Sequence, residues 1–459
     1  MSNNKNKWQT NPLPEGDFLE TLFSALNGSG INYAVMRNYH SLPLSAGGSD
    51  LDILVNAHDQ DELHRVLLES VDLVGAVLLG TSQSVGLWKA FILGSNPEFA
   101  SPWWGLRIDV NVGLFYKGLA LLDVEYPLPI STYRSINVLA DGFAGVLGVL
   151  KEVLNNGKIP ERYLECARIA AESDWGITTK LLAPMGPDSL ESLKRLMLND
   201  ISGPGYSCLK VRNHFYMYTF LKKPFSYFLG RIASLVSRIA RYLKPSGTVI
   251  AILGTDGAGK STIINAIKPA LDQATHNATI MRHLRPNLLP PLSRIKGKTG
   301  ESVGIVTDPH GSKPSGFVGS FVRLAYATVN YCLGYWLDTR KHIAKQPTVV
   351  VFDRYAYDML LDQRRFRIAL PTWLVRFFVW LAPKPDLIFC LHGDPVVLAA
   401  RKNELPLAEV ARQVQALKEF AASEPRAVLI STEGTVEQAR DEILQALMEH
   451  ARKKQANKR

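Results

Sequence analysis

The chain has 459 residues, enough for two or three domains of ordinary size. With 46% hydrophobic and 20% charged residues it has material for several cores, which excludes a disordered chain and a fibrous repeat. A net charge of +10 suits phosphorylated substrates, nucleic acid or an anionic membrane surface without choosing among them. The four cysteines, Cys166, Cys208, Cys332 and Cys390, are scattered and show neither metal-ligand nor redox spacing. The polar start and the basic end do not read as targeting segments, so a reducing cytoplasm is the expected compartment.

Strands are expected over 31–36, 51–55 and 106–112, within a first domain spanning 1–141. Gly47-Gly48-Ser49-Asp50-Leu51-Asp52 puts two carboxylates at i and i+2, and on a strand these project to one face. Asp109 supplies a third carboxylate from a later strand. Three such groups can hold two Mg²⁺ ions that clamp the attacking and leaving oxygens of a nucleotidyl transfer. The pattern resembles the nucleotidyltransferase superfamily, whose members carry Asp-x-Asp on one strand and a later Asp. The resemblance implies an α+β domain with Asp50, Asp52 and Asp109 as metal ligands. It departs from the family where a Gly-Ser pair is usual, since that place reads Val35-Met36-Arg37-Asn38-Tyr39. The carboxylates are therefore also open to tying down a turn or serving a regulatory nucleotide site.

Residues 142–246 have mainly helical spacing and form a connecting segment. Phe225, Phe228, Leu229, Ile232, Leu235, Val236, Ile239 and Leu243 share one helical face, with Arg231, Ser234, Arg238 and Arg241 opposite. The expected arrangement is a helix packed by its apolar face on the following domain, its basic face in water. A basic amphipathic helix lying on an anionic membrane at the inner surface is the alternative.

From 247 to 459 short apolar runs alternate with helical stretches, the pattern of a parallel sheet covered by helices. Five strands are expected, over 249–253, 279–283, 348–352, 386–391 and 427–430. A long loop is expected over 285–319 and a buried core helix over 321–343. The segment Gly254-Thr255-Asp256-Gly257-Ala258-Gly259-Lys260-Ser261-Thr262 matches G-x-x-x-x-G-K-[ST] directly after the first strand. Its backbone N–H groups cradle phosphates, Lys260 reaches the β/γ oxygens, and the Ser261 hydroxyl is placed to ligate Mg²⁺. Asp353 and Arg354 close a second strand with an acid for the metal's water shell and a planar cation for phosphate or acceptor.

This loop, the Asp353-Arg354-Tyr355 triplet and the stretch after His392 resemble the thymidylate kinase-like branch of P-loop kinases. The resemblance covers about the last 210 residues. It implies an ATP- and Mg²⁺-dependent phosphotransferase with Arg401 and Arg412 as lid arginines and Asp256 turned toward the acceptor. The place where that family reads its nucleotide with Arg-Glu-Pro-Gly is here Arg282-His283-Leu284-Arg285-Pro286-Asn287. The altered pattern looks like divergent relatives associated with bacterial surface polysaccharides, which implies a carbohydrate or glycan-linked acceptor. His283, Arg285, Tyr355, Asp358 and Asp362 are the further acceptor-binding candidates. The expected partners are ATP and such an acceptor rather than nucleic acid. A nucleoside monophosphate kinase, a nucleotidyltransferase with an accessory P-loop module, and a nucleotide-regulated membrane-surface protein are the other readings.

Overall fold

The computed structural model describes residues 12–122, 127–173, 175–198, 204–284, 315–402 and 405–456. The chain divides into two compact units, Met1–Arg241 and Tyr242–Arg459.

The first unit contains β1 (Tyr33–Val35), β2 (Leu51–Val55), β3 (Val77–Ser84), β4 (Leu87–Ser95) and β5 (Trp103–Val112). A small hairpin follows, β6 (Phe115–Tyr116) with β7 (Leu119–Ala120), then β8 (Ile130–Tyr133) and β9 (Ile136–Leu139). Seven of these strands make one mixed sheet in the order β3-β4-β5-β2-β1-β9-β8. Within it β2 runs parallel to β5 and β1 parallel to β9. Alternation along the strands gives each face its own core. Leu51, Ile53 and Val55 of β2 join Phe18, Leu22 and Leu67 of the helices Gly16–Gly28 and Gln60–Leu73. On the other face, Ala34 and Leu54 join Val146, Leu193 and Phe215. Those three residues come from helices Asp141–Asn156, Pro187–Met197 and Pro204–Lys222. The helical stretch expected as a separate connector therefore shares the core of the first unit, because one face of the sheet needs it as cover.

The second unit holds β10 (Thr248–Gly254), β11 (Ile280–His283), β12 (Val349–Asp353), β13 (Leu387–His392) and β14 (Ala427–Ser431). All five are parallel, in the order β11-β12-β10-β13-β14, and helices flank the sheet. Central β10 is buried along its whole length, as its unbroken apolar run requires. Its carboxyl end lies between those of β12 and β13, which places the phosphate loop beside Asp353.

One helix differs from expectation. The 321–343 stretch forms the helix Phe317–Gly334, a π-helical turn Tyr335–Thr339 and the helix Arg340–Lys345. Leu324 and Tyr331 are buried, whereas Phe321, Val322, Leu333, Trp336 and Leu337 are exposed, so it covers the core with one face only. The helix Pro224–Leu243 has no buried residue. It leans on the first unit by a narrow small and polar strip. Gly230 sits so close to Gly118 that a Cβ there would lie 2.2 Å from the Gly118 carbonyl oxygen. Farther along, Arg241 donates to the Gln83 carbonyl at 2.8 Å. Its large apolar side chains, from Phe225 to Leu243, are the exposed ones. No helix among the described residues is long and apolar enough to cross a membrane. The expected long loop falls mostly outside the described residues.

Candidate active site

Strand β10 ends at Gly254 and the helix Lys260–Thr275 begins just beyond, so the loop between them must turn within a few residues. It does so through Gly257 and Gly259, at φ of +83° and +78°. At Gly257 space forbids a side chain as well, since a Cβ would stand 2.6 Å from the Leu398 carbonyl oxygen. Lys260 folds back over the loop and donates to the Gly254 and Thr255 carbonyls at 2.9 and 2.8 Å. Burial, with Arg354 close by, pushes its ammonium down to about 7. A cation held this way gains from any anion that enters.

Strand β12 delivers Asp353 and Arg354 to the same place. Arg354 takes φ of +73°, an uncommon conformation for a side chain of its size, while its N–H donates to the Ile252 carbonyl at 3.0 Å. Its buried guanidinium bridges Asp256 and Asp358, at 2.5 and 3.0 Å. Arg365 binds the other oxygen of Asp256 at 2.5 Å. Burial alone would raise the Asp256 carboxyl, yet Arg354 and Arg365 hold it at about 2. Asp353 accepts from His283 at 3.0 Å through one oxygen, with His283 as the donor. Its other oxygen is buried with no hydrogen-bond partner among the described residues. A carboxylate oxygen left bare on a residue that lines the same cavity as Ser261 suits a Mg²⁺ ion or its water shell, so these residues fit the metal.

Asp256, Lys260, His283, Asp353, Arg354 and Arg365 line one cavity of about 660 Å³, together with Arg401, Lys402, Thr432, Gly434, Thr435, Val436 and Ala439. Of the expected residues, the loop from Asp256 to Thr262 with His283, Asp353, Arg354 and Arg401 all reach it. Arg401 also donates to the Thr432 carbonyl at 3.5 Å. Others are engaged elsewhere. The Tyr355 side chain is in the core, its hydroxyl donating to the Pro383 carbonyl at 2.6 Å. Asp358 is buried, accepting from Arg354 and from the Tyr355 N–H, so it positions the arginine instead of facing an acceptor. Asp362 accepts from the Arg365 N–H and from Gln413, both at 3.1 Å. Arg412 is held by Glu409 at 2.7 Å and by the Leu361 carbonyl, outside the cavity lining. Arg285 lies outside the described residues. Arg365 and Lys402 were missed by sequence reasoning. Arg365 stands in the run Arg364-Arg365-Phe366-Arg367, where nothing in the spacing marks one arginine out.

In the first unit Asp50, Asp52 and Asp109 do converge, with one ligand atom from each within 4.8 Å of the others. Pairing of Asp52 with Asp109 across β2 and β5 explains it. Their spacing fits a divalent ion, and Asp52 Oδ1 accepts no hydrogen bond. The sequence did not show the cations gathered around them. Arg37 bridges Asp50 and Asp52, and Arg107 bridges Asp50 and Asp109 at 3.2 and 2.7 Å. Lys89 reaches Asp109 at 3.1 Å and Lys151 approaches Asp52 at 3.9 Å.

No family model matches the sequence, and no curated protein matches it. Among solved structures, a thymidylate kinase from Ehrlichia chaffeensis is similar at 13% identity and a TM-score of 0.32. The match covers 44% of this chain and 98% of that one. A thymidylate kinase from Candida albicans is similar at 16% identity and a TM-score of 0.33, over 45% of this chain and 93% of that one. At these values the likeness carries no argument about activity or substrate.

Proposed function

We propose that the Tyr242–Arg459 unit is an ATP-dependent phosphotransferase, moving the γ-phosphate to a hydroxyl of a carbohydrate or glycan-linked acceptor. The observation that carries this reading is the convergence of Lys260, the bare Asp353 oxygen and the guanidiniums of Arg354, Arg365 and Arg401 on one cavity. Phosphoryl transfer asks a protein chiefly for positive charge and alignment. Lys260 would exchange its two carbonyl partners for phosphate oxygens, and the loop N–H groups would hold the β-phosphate. Ser261 and Asp353 would hold Mg²⁺, which when bound supplies charge neutralisation on the β and γ oxygens. Arg354, clamped by Asp256 and Asp358, and Arg401 would carry the charge that develops as the acceptor oxygen displaces ADP. Support for a non-nucleotide acceptor comes from Arg282-His283-Leu284 standing where Arg-Glu-Pro-Gly reads a thymidine nucleotide in the resembling family.

The test is transfer of labelled γ-phosphate to a panel of sugars, oligosaccharides and dTMP. Transfer to a sugar is expected, reduced by about a hundredfold or more in Lys260→Ala. Robust turnover of dTMP would overturn the carbohydrate reading. Full activity in Lys260→Ala, abolished in Asp50→Ala with Asp52→Ala, would move the chemistry to the first unit.

A second reading, that the protein also rests on a membrane surface, is favoured by the helix Pro224–Leu243. Its apolar side chains are exposed, and between 201 and 255 the chain carries eight Lys or Arg and no Asp or Glu. Such a segment complements an anionic lipid surface and offers it apolar side chains to bury. Sedimentation with phosphatidylglycerol-containing vesicles, weakened by high salt and lost in Leu229→Ser with Ile232→Ser and Val236→Ser, is the expected result. Self-association without vesicle binding would sink it.

A further inference from the structure

Apart from the candidate active site, the Met1–Arg241 unit encloses a cavity of about 470 Å³, ample for a small ligand. Its wall joins the carboxylate cluster to the hairpin β6–β7 and to the inner strip of the helix Pro224–Leu243. Asp50 and Asp109 are the acidic residues that line it. Arg37, Lys89, Arg107 and Lys151 surround the cluster, and Lys117, Arg238 and Arg241 line the rest of the wall. The bridging arginines already neutralise most of the carboxylate charge. What remains is a surplus of positive charge turned into a partly buried space.

That surplus shows in the groups themselves. Burial and the neighbouring Arg238 push the Arg241 guanidinium down. Like charges crowded in a low-dielectric wall gain from an entering anion, whereas a divalent cation would first have to displace the arginines. Ser234 and Ser237 add hydroxyls to the same wall, and Phe115 and Tyr116 add ring surface for an uncharged part of the ligand.

We infer that this cavity binds an anion bearing two or more linked phosphates directly through its lysines and arginines, with no metal ion bridging it. It lies in a different unit from the proposed phosphotransferase site and does not depend on that reading.

The test is titration of the full-length Lys260→Ala chain with inorganic pyrophosphate in EDTA, followed by calorimetry. Lys117→Glu with Arg238→Glu changes two exposed cations that pair with no carboxylate among the described residues, so the fold should persist. Expected are binding that weakens with salt, at least about a tenfold loss of affinity in the double reversal, and protection of Lys117 and Lys151 from amine acylation by bound pyrophosphate. Absence of binding in EDTA would overturn the inference, and so would unchanged acylation of both lysines. Binding that appears with Mg²⁺ alone and vanishes in Asp50→Asn with Asp52→Asn would also overturn it, in favour of a metal-bridged site.

Discussion

Lys260 is bound to two carbonyls of its own loop, and burial holds its ammonium at about 7 against 10.5 for a free lysine. Between those values the unfolded chain keeps a proton that the folded chain has released. Folded stability therefore rises with pH from about 7 toward 10.5 through this group, and is independent of it below that window. Bound phosphate restores the charged form. ATP binding near pH 8 is accordingly expected to take up a proton, seen as a binding enthalpy that differs between Tris and HEPES in proportion to their ionisation heats. Equal enthalpies in the two buffers would contradict the assignment. At this scale the sequence was readable where a motif ties residue type to position, as with Lys260, Ser261 and Asp353. It was unreadable where function depends on which partner arrives in space. Asp358 and Asp362 look like free acids in the sequence, and the fold gives both to arginine, amide and backbone donors. Arg365 looks like one of several surface cations, and the fold brings it to Asp256.

The unit from strand to loop to helix depends on two glycines for different reasons. Gly259 needs only a positive φ, with nothing within 4 Å of a Cβ, while Gly257 needs both the conformation and the space beside Leu398. Gly259→Ala is expected to cost about 1 kcal/mol from backbone strain alone. Gly257→Ala should cost more and weaken ATP binding further, read as a lower urea midpoint and a higher Kd. Equal effects of the two would refute the close approach. The three inner strands of the second unit, β10, β12 and β13, were legible because buried parallel strands read as continuous apolar runs. The helices 224–243 and 321–343 were half legible. Spacing identifies an apolar face, but it does not say whether another element covers that face. In both helices much of the apolar surface remains exposed.

Across the whole molecule, each unit gathers cations about acidic groups, and in each the arginines decide what those acids are free to do. In the second unit they leave one oxygen of Asp353 unengaged. In the first they occupy most of the cluster. The sharing of one core by sheet and helices over 1–241 was not readable in the sequence. That sharing is set by which face of the first sheet lacks cover, a property of the assembled strands. The strand order of the second sheet also governs how that unit comes into being. Thr248 pairs with Val349 and Ile250 with Leu387, so β10 emerges from the ribosome long before either neighbour exists. The phosphate loop, encoded at the start of its unit, is thus among the last parts to acquire its shape, and the buried apolar strand preceding it must be kept from other chains until β12 and β13 arrive.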